Sequence, residues 1–151
     1  MKILLINPPI TTVNPVISSL FFNSPPLGLL YIAAVLEQNQ IDVRVIDAAL
    51  EGLKISNLTD RILSYDPDVI GISSTTFSFS SSVELAKHIK AVKSSIKIVI
   101  GGAHVSGVPE DVLAHKCFDF GVIGEGEFTF LELIQNIDKE NYLLKNIKGI
   151  V

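Results

Sequence analysis

From Asp68 to Thr76 the chain reads Asp-Val-Ile-Gly-Ile-Ser-Ser-Thr-Thr, an apolar run that ends in four consecutive hydroxyl side chains. A short apolar run between turn-forming residues is typical of a strand that is buried on both faces of a parallel sheet. Open parallel α/β sheets bind ligands in the crevice beyond the carboxyl ends of their strands. We therefore expect residues 73–76 to lie at a ligand-binding edge.

The composition is that of one globular domain. The chain has 151 residues, of which 48% are hydrophobic and 19% charged, and a net charge of −4. A chain of this length buries ~70% of its unfolded surface, and the negative charge predicts no nucleic-acid or anionic-membrane partner. The single cysteine, Cys117, excludes an internal disulfide, is best interpreted as a packed thiol and favours the reducing cytoplasm. No apolar run reaches the ~18 residues of a membrane span, and we expect no signal peptide.

Strands and helices alternate along the rest of the chain. The predicted strands are 2–7, 43–47, 68–73, 96–100 and 118–123, with a possible sixth at 147–151, and the predicted helices are 27–40, 53–65, 80–92, 109–115 and 128–137. This alternation predicts an α/β fold, a doubly wound parallel five-stranded sheet of order 2-1-3-4-5 with helices on both faces. The switch point of such a sheet lies between its first and third strands.

The first helix follows a long loop. Ser24-Pro25-Pro26 predicts a start with a hydroxyl cap, and Leu29, Leu30, Ile32, Ala33 and Leu36 predict a broad apolar face. The preceding loop, residues 10–24, contains Leu20, Phe21 and Phe22. Apolar residues on a loop indicate either internal packing or a surface for a partner.

The candidate ligand-binding residues follow the carboxyl ends of the first, third, fourth and fifth strands. They are Asn7, Pro8, Pro9, Ser73, Ser74, Thr75, Gly101, Gly102, His104, Gly124, Glu125 and Gly126. Paired glycines admit a ligand or form a tight turn, and the hydroxyls of Ser73 and Thr75 either bind one ligand together or cap the following helix. In the group that follows the fifth strand, a carboxylate in the first turn of a helix is stabilised by the helix dipole, which is one interpretation. The other is that the two glycines that flank Glu125 indicate a close backbone contact or a domain junction. We expect His104 to form loop hydrogen bonds rather than to bind a metal.

No catalytic or metal-binding set is evident in the sequence. Asn7-Pro8-Pro9 occupies the turn where a glycine-rich phosphate loop would lie, which disfavours flavin and nucleotide ligands. A phosphoacceptor domain is disfavoured because the first strand is not followed by paired acids that would hold magnesium. One cysteine cannot hold a zinc or iron–sulfur site, and we predict neither catalytic nor metal-ligating residues.

Four stretches together resemble the amino-terminal cobalamin-binding domain of the cobalamin-dependent radical SAM proteins, over nearly the whole chain. They are Pro-Pro-Leu-Gly-Leu-Leu-Tyr-Ile-Ala-Ala at 25–34, Asp-Val-Ile-Gly-Ile-Ser at 68–73, Gly-Gly-Ala-His at 101–104 and Gly-Glu-Gly-Glu-Phe-Thr at 124–129. The resemblance implies a flavodoxin-like (Rossmann-like) domain that holds cobalamin. It also implies a downstream barrel with a [4Fe–4S] cluster and S-adenosylmethionine, used in methyl transfer or a related rearrangement or cyclisation. No three-cysteine motif is present, so we expect residues 1–151 to be a fragment or isolated domain that is not catalytic by itself.

The better-known cobalamin domains carry Asp-x-His-x-x-Gly after the first strand, and this chain does not. The resemblance therefore implies cobalamin bound base-off without a histidine ligand, its nucleotide tail near Ser73 and Thr75, with Gly101 and Gly102 giving room. We expect Gly102→Val to abolish binding while the fold survives. The alternatives are a cobalamin-free structural domain that docks on its own barrel, or another flavodoxin-like ligand.

Overall fold

The structure, a computed structural model, describes residues 1–10, 24–138 and 146–151. Its strands are β1 (Lys2–Asn7), β2 (Asp42–Asp47), β3 (Val69–Ser73), β4 (Lys97–Gly101) and β5 (Phe120–Gly121). Its helices are α1 (Leu27–Gln38), α2 (Ile55–Tyr65), α3 (Phe79–Val92), α4 (Ala103–Gly107), α5 (Pro109–Leu113) and α6 (Gly126–Asn136). The predicted alternation of strands and helices is confirmed.

The five strands form one parallel sheet in the order β2-β1-β3-β4-β5, as predicted. In its centre, Leu5 of β1 lies beside Gly71 of β3, which lies beside Val99 of β4. Because all the strands run in the same direction, their carboxyl ends share one edge of the sheet. The loops after β1, β3, β4 and β5 therefore converge there.

Alternating strand residues form two apolar layers. On one face α1 and α6 cover the sheet, and Leu36, Phe130 and Leu133 pack with Ile3, Leu5, Val69 and Val99. On the other face α2 and α3 cover it, and Leu58, Ile62, Leu85 and Ile89 pack with Leu4, Ile6, Ile70 and Ile98. The central strand is buried from both sides, since successive side chains of a strand point to opposite faces.

The N-terminal cap of α1 differs from the prediction. The helix begins where expected, but the residue before it is Pro26 and no side chain caps it. The backbone N–H of Leu27 instead donates to the carbonyl of Pro25 at 2.8 Å. Leu30 is 42% exposed and lies outside the buried face, which consists of Leu29, Ala33 and Leu36.

Two further differences concern the second half of the chain. The sequence did not predict α4, which follows β4 directly. The fifth strand is only two residues long, and the segment predicted as a possible sixth strand forms a single antiparallel bridge, between Ile150 and Val122. Gly121 and Val151 exchange two backbone hydrogen bonds of 2.7 and 2.9 Å beside this bridge. The C-terminal residues therefore cover the β5 edge without extending the parallel sheet.

The loop residues Leu20, Phe21 and Phe22 lie outside the described residues. In the part that the structure describes, no helix combines the length and the apolar character that a membrane span requires.

Candidate functional site

A cavity of about 430 Å³ opens at the carboxyl edge of the sheet, on the face that carries α1 and α6. Its floor is formed by residues of β1, β3 and β4, and its walls by the first turns of α1 and α6. The loops after β4 and β5 form its rim. This is the crevice in which open α/β sheets bind ligands.

The cavity exists because β3 and β4 carry glycine and serine, rather than large side chains, on the side that faces it. Gly71 and Ser73 lie on that side of β3, and Gly101 on that side of β4. A Cβ atom on Gly71 would lie 2.7 Å from Cδ2 of Leu5 and 3.2 Å from the ring of Phe130. Gly71 therefore lets the Phe130 ring lie against the strand and close the bottom of the cavity. Six of the ten glycines in the chain line this one space: Gly28, Gly71, Gly101, Gly102, Gly124 and Gly126.

The backbone conformation at position 102 requires glycine. Its φ is +101°, and a Cβ atom there would lie 2.6 Å from the carbonyl oxygen of Ser74. The two loops approach this closely because the N–H of Ser74 donates to Gly101 O at 2.8 Å and the N–H of His104 donates to Ser74 O at 3.1 Å. The expectation that Gly102→Val would leave the fold intact is therefore wrong, since the new side chain would collide with backbone atoms.

Ser106 joins the two loops of the rim. Its hydroxyl donates to the carbonyl of Gly102 at 3.0 Å and accepts from the backbone N–H of Gly124 at 2.9 Å. Sequence analysis did not predict a role for this residue, because it lies on the helix α4 that was not predicted. The one available signal was its position four residues after Gly102, the spacing of one helical turn.

The polar groups that face the cavity are few. Ser73 lies at the end of β3, and its hydroxyl has no hydrogen-bond partner among the described residues. Glu125 and Glu127 lie where α6 begins, and the described part of the chain gives neither carboxylate a cation. Among the described residues, no lysine, arginine or histidine lines the cavity. The cavity is thus apolar inside and acidic at its rim.

The structure places Ser74 and Thr75 away from the cavity, contrary to the expectation that Ser73 and Thr75 share one ligand. Ser74 is fully buried, and its hydroxyl donates to Thr75 O at 3.2 Å. The N–H of Thr75 donates to the hydroxyl of Ser78 at 3.0 Å. The regular alternation of strand residues ends at Ser73, so Thr75 belongs to the turn that leads into α3.

His104 also lies away from the cavity. Its ring is 4.0 Å from the ring of Phe79, its Nε2 is 3.0 Å from a carboxylate oxygen of Asp111, and its Nδ1 is 3.3 Å from the hydroxyl of Thr76. The residue is 8% exposed. The expected role in loop hydrogen bonding agrees with these contacts, whereas His104 is not among the residues that line the cavity and its predicted role in cofactor binding stays a prediction.

The first-strand candidates likewise do not line the cavity. The side chain of Asn7 donates from Nδ2 to Oδ1 of Asp47 at 2.8 Å, across the β1–β2 pair. Pro8 and Pro9 are buried. These residues shape the end of β1 and lie outside the lining of the cavity, and their contact with a ligand stays a prediction.

No metal site is evident among the described residues, since no three His, Cys, Asp or Glu side chains come together there. Burial raises the pKa of the Cys117 thiol, which is 7% exposed. A neutral, packed thiol agrees with the sequence-based interpretation of this residue.

Comparison with known proteins identifies the chain. The family model described as the B12 binding domain matches residues 13–134. The whole chain is 36% identical to an uncharacterized methyltransferase of Pyrococcus horikoshii and covers 32% of it. It is 33% identical, over 99% of its length, to the anaerobic magnesium-protoporphyrin IX monomethyl ester cyclase of Synechocystis and covers 30% of that protein.

Solved structures show the same fold. The cobalamin-dependent S-adenosylmethionine radical enzyme OxsB, with aqua-cobalamin and S-adenosylmethionine bound, matches 99% of the chain with a TM-score of 0.80 at 24% identity. The chain covers 20% of OxsB and about a third of the curated relatives named above. The resemblance inferred from the four sequence motifs is confirmed, and the chain belongs to the family of B12-binding domains.

Proposed function

We propose that this chain holds cobalamin base-off, with the nucleotide arm in the cavity between the sheet and helices α1 and α6. The cavity carries this proposal, because glycines replace larger side chains at the carboxyl edge of the sheet, where open α/β sheets bind ligands. A volume of about 430 Å³ is too small for a whole corrinoid and suits one arm of it. Base-off binding without a histidine ligand is supported by the sequence, because the Asp-x-His-x-x-Gly pattern that supplies this ligand in the better-known cobalamin domains is missing after β1.

The residues of the chain have distinct roles in this proposal. Gly71 and Gly101 give the arm room, the hydroxyl of Ser73 offers one hydrogen-bond donor, and Ser106 holds the rim loops together. Phe130 and Leu5 close the floor and exclude water from it. Cobalamin supplies a cobalt centre that can carry a methyl group, and the protein supplies its binding and orientation.

We further propose that the domain works beside a radical SAM domain that supplies the [4Fe–4S] cluster and S-adenosylmethionine, in a cytoplasmic methyltransferase or cyclase. The names of the relatives and the small share of each that the chain covers support this.

Three apolar side chains on the two helices that wall the cavity are exposed: Leu27 by 60%, Tyr31 by 61% and Phe128 by 78%. An exposed apolar group of this kind is typical of a docking surface. The same surface would also serve a docking domain that has no cofactor, which is the second candidate function.

An absorbance titration with hydroxocobalamin, followed by gel filtration, tests the proposal. We expect stoichiometric, co-eluting cobalamin with a base-off spectrum. The EPR spectrum of the reduced Co(II) form should show no splitting from a protein nitrogen, in wild type and in His104→Ala alike. A nitrogen splitting that His104→Ala removes would contradict the absence of a histidine ligand. No binding, either to this chain or to the longest natural polypeptide that contains it, would favour the cofactor-free docking domain.

A further inference from the structure

We propose that Thr76 is a contact residue for the corrin ring of cobalamin, and that its hydroxyl accepts a hydrogen bond from the N–H of a propionamide side chain of the ring. His104 and Asp111 are positioning residues, because they fix the direction of the Thr76 hydroxyl. The inference rests on the proposed function, since it requires that the nucleotide arm occupy the cavity. It adds a recognition site for the ring, and this site lies outside the cavity.

Three side chains from three segments form a hydrogen-bonded triad. Thr76 lies in the turn after β3, His104 in the first turn of α4 and Asp111 in the first turn of α5. His104 Nε2 is 3.0 Å from Oδ2 of Asp111, and His104 Nδ1 is 3.3 Å from the Thr76 hydroxyl. The triad thus leads from a half-exposed carboxylate, through a buried imidazole, to an exposed hydroxyl.

The imidazole of His104 is held in one orientation. Its ring lies 4.0 Å from the ring of Phe79, which stacks on it at an interplanar angle of 32°. The backbone N–H of the same residue donates to Ser74 O at 3.1 Å. Both the main chain and the side chain of His104 therefore bind the segment that follows β3.

The triad gives the Thr76 hydroxyl a defined polarity. An ionised carboxylate only accepts hydrogen bonds, so the ring hydrogen of a neutral His104 lies on Nε2 and points towards Asp111. Nδ1 is then an acceptor, and it takes the hydroxyl hydrogen of Thr76. The remaining lone pairs of this hydroxyl are free, so Thr76 offers a ligand an acceptor rather than a donor.

Thr76 lies beside the part of the edge that the ring must occupy. It follows Ser73 by three residues, and its partner His104 directly follows Ala103, while Ser73 and Ala103 both line the cavity. The cavity of about 430 Å³ suits one arm, so the ring stays outside it at the carboxyl edge of the sheet. Thr76 is exposed at this edge.

The chemistry of the ring identifies the group that meets Thr76. Propionamides project from the face of the corrin that carries the nucleotide arm, and acetamides project from the other face. A domain that holds the arm therefore meets propionamides. Their NH₂ groups are donors and match the Thr76 hydroxyl, whereas a propionate at the same place would set a carboxylate against its lone pairs. One such hydrogen bond contributes about a threefold to tenfold gain in affinity.

The experiment measures dissociation constants at pH 8 for hydroxocobalamin and for its three monocarboxylic acids, each with one propionamide hydrolysed to a carboxylate. Thr76→Val removes the hydroxyl at constant size, and Thr76→Ser retains it. Thr59→Val is the matched control, because the Thr59 hydroxyl donates to Ile55 O at 2.8 Å within α2, which packs on the opposite face of the sheet from the cavity. Thermal unfolding verifies that each variant is folded.

We expect wild type to bind one of the three acids about tenfold more weakly than hydroxocobalamin. In Thr76→Val the affinity for hydroxocobalamin should fall about threefold to tenfold, and the discrimination against that acid should fall about fivefold. Thr76→Ser and Thr59→Val should retain both the affinity and the discrimination.

Two substitutions of His104 separate positioning from structural support. His104→Asn places an amide oxygen near the former Nδ1, where it can still accept from Thr76. His104→Gln reaches the former Nε2 and leaves Thr76 without this acceptor. We expect the discrimination against the acid to survive in His104→Asn and to be lost in His104→Gln. Equal discrimination in these two variants would contradict the positioning role of His104.

The outcomes for Thr76 and for the proposed function are distinguishable. Equal discrimination by wild type and Thr76→Val, for all three acids, would overturn the contact between Thr76 and the ring and leave cobalamin binding intact. Failure of wild type to bind hydroxocobalamin would contradict the proposed function itself, and this inference with it.

Discussion

The hydroxyl of Ser106 accepts a hydrogen bond from the backbone N–H of Gly124 at 2.9 Å, which ties the loop after β4 to the loop after β5. The same hydroxyl donates to the carbonyl of Gly102 at 3.0 Å. One side chain on a five-residue helix thus satisfies two backbone groups on opposite sides of the rim. We expect the width of the cavity mouth to depend on this link.

Ser106→Ala should loosen the rim without unfolding the domain. It removes two hydrogen bonds at an exposed position, so we expect a loss of about 1 kcal/mol in the free energy of unfolding. The affinity for cobalamin should fall about fivefold to tenfold, because the loops must be ordered again when the ligand binds. Urea unfolding and the cobalamin titration measure the two effects. Ser80→Ala on the exposed side of α3 is the control, and equal affinities of the two variants would show that the link does not shape the site.

Gly101→Val should block the cavity while Gly102→Val should damage the fold. A Cβ atom on Gly101 makes only ordinary contacts, the nearest being Val122 O at 3.5 Å, and the side chain would project beside the cavity floor. Gly102 has a positive φ, and its Cβ atom would collide with Ser74. We expect Gly101→Val to retain a melting temperature within a few degrees of wild type and to lose cobalamin binding.

Calorimetry measures the melting temperatures of Gly101→Val and Gly102→Val, and the cobalamin titration measures their affinities. Gly102→Val should melt at a clearly lower temperature, since the strained φ and the backbone collision act together. Normal cobalamin affinity in a folded Gly101→Val protein would rule out the cavity as the site of the arm.

Gly71→Ala should be destabilising although alanine is the smallest possible change. The new methyl group would lie 2.7 Å from Cδ2 of Leu5 and 3.2 Å from the Phe130 ring, which forces the core to shift. Overpacking of this kind costs about 1–3 kcal/mol. Leu5→Val shortens the side chain that is most crowded, so the double variant should lose less stability than the sum of the single variants. Strict additivity in urea unfolding would show that the two side chains do not compete for this space.

Asp119 should make the domain sensitive to acid. Burial opposes its charge, but hydrogen bonds from Lys90 Nζ at 2.6 Å and from the N–H of Ile98 at 2.8 Å prevail and hold its pKa below the ordinary 3.8. The unfolded state therefore binds the proton more readily than the folded state. Its stabilising effect is complete above the ordinary pKa and is lost as the pH falls through the lower folded value.

Urea midpoints measured between neutral pH and pH 3 test this dependence. Asp119→Asn should be less stable than wild type at neutral pH and should lose less stability on acidification. An identical decline in both proteins would mean that other carboxyl groups govern the acid sensitivity. Glu110→Gln, an exposed change that also removes one negative charge, controls for the altered net charge.

Much of the architecture follows from local sequence patterns. The buried strand at Val69–Ser73 is recognisable from its apolar run, and the strand order follows from the alternation of strands and helices. The predicted position of Gly101 and Gly124 at the carboxyl edge of the sheet is confirmed, because each directly follows a predicted strand. The short β5 and helix α4 were not predictable, since two-residue strands and five-residue helices carry too little periodicity.

The sequence by itself determined the sheet, its order and the edge at which the site lies, because periodicity and turn residues act over a few neighbouring positions. Only the tertiary structure decided which polar side chains face the cavity. Ser73 faces it, whereas Thr75 and His104 do not, because the strand ends at Ser73 and α4 turns the histidine towards Phe79. The role of Gly102 was likewise decided by its approach to Ser74, a contact across 28 positions of sequence that no local pattern records.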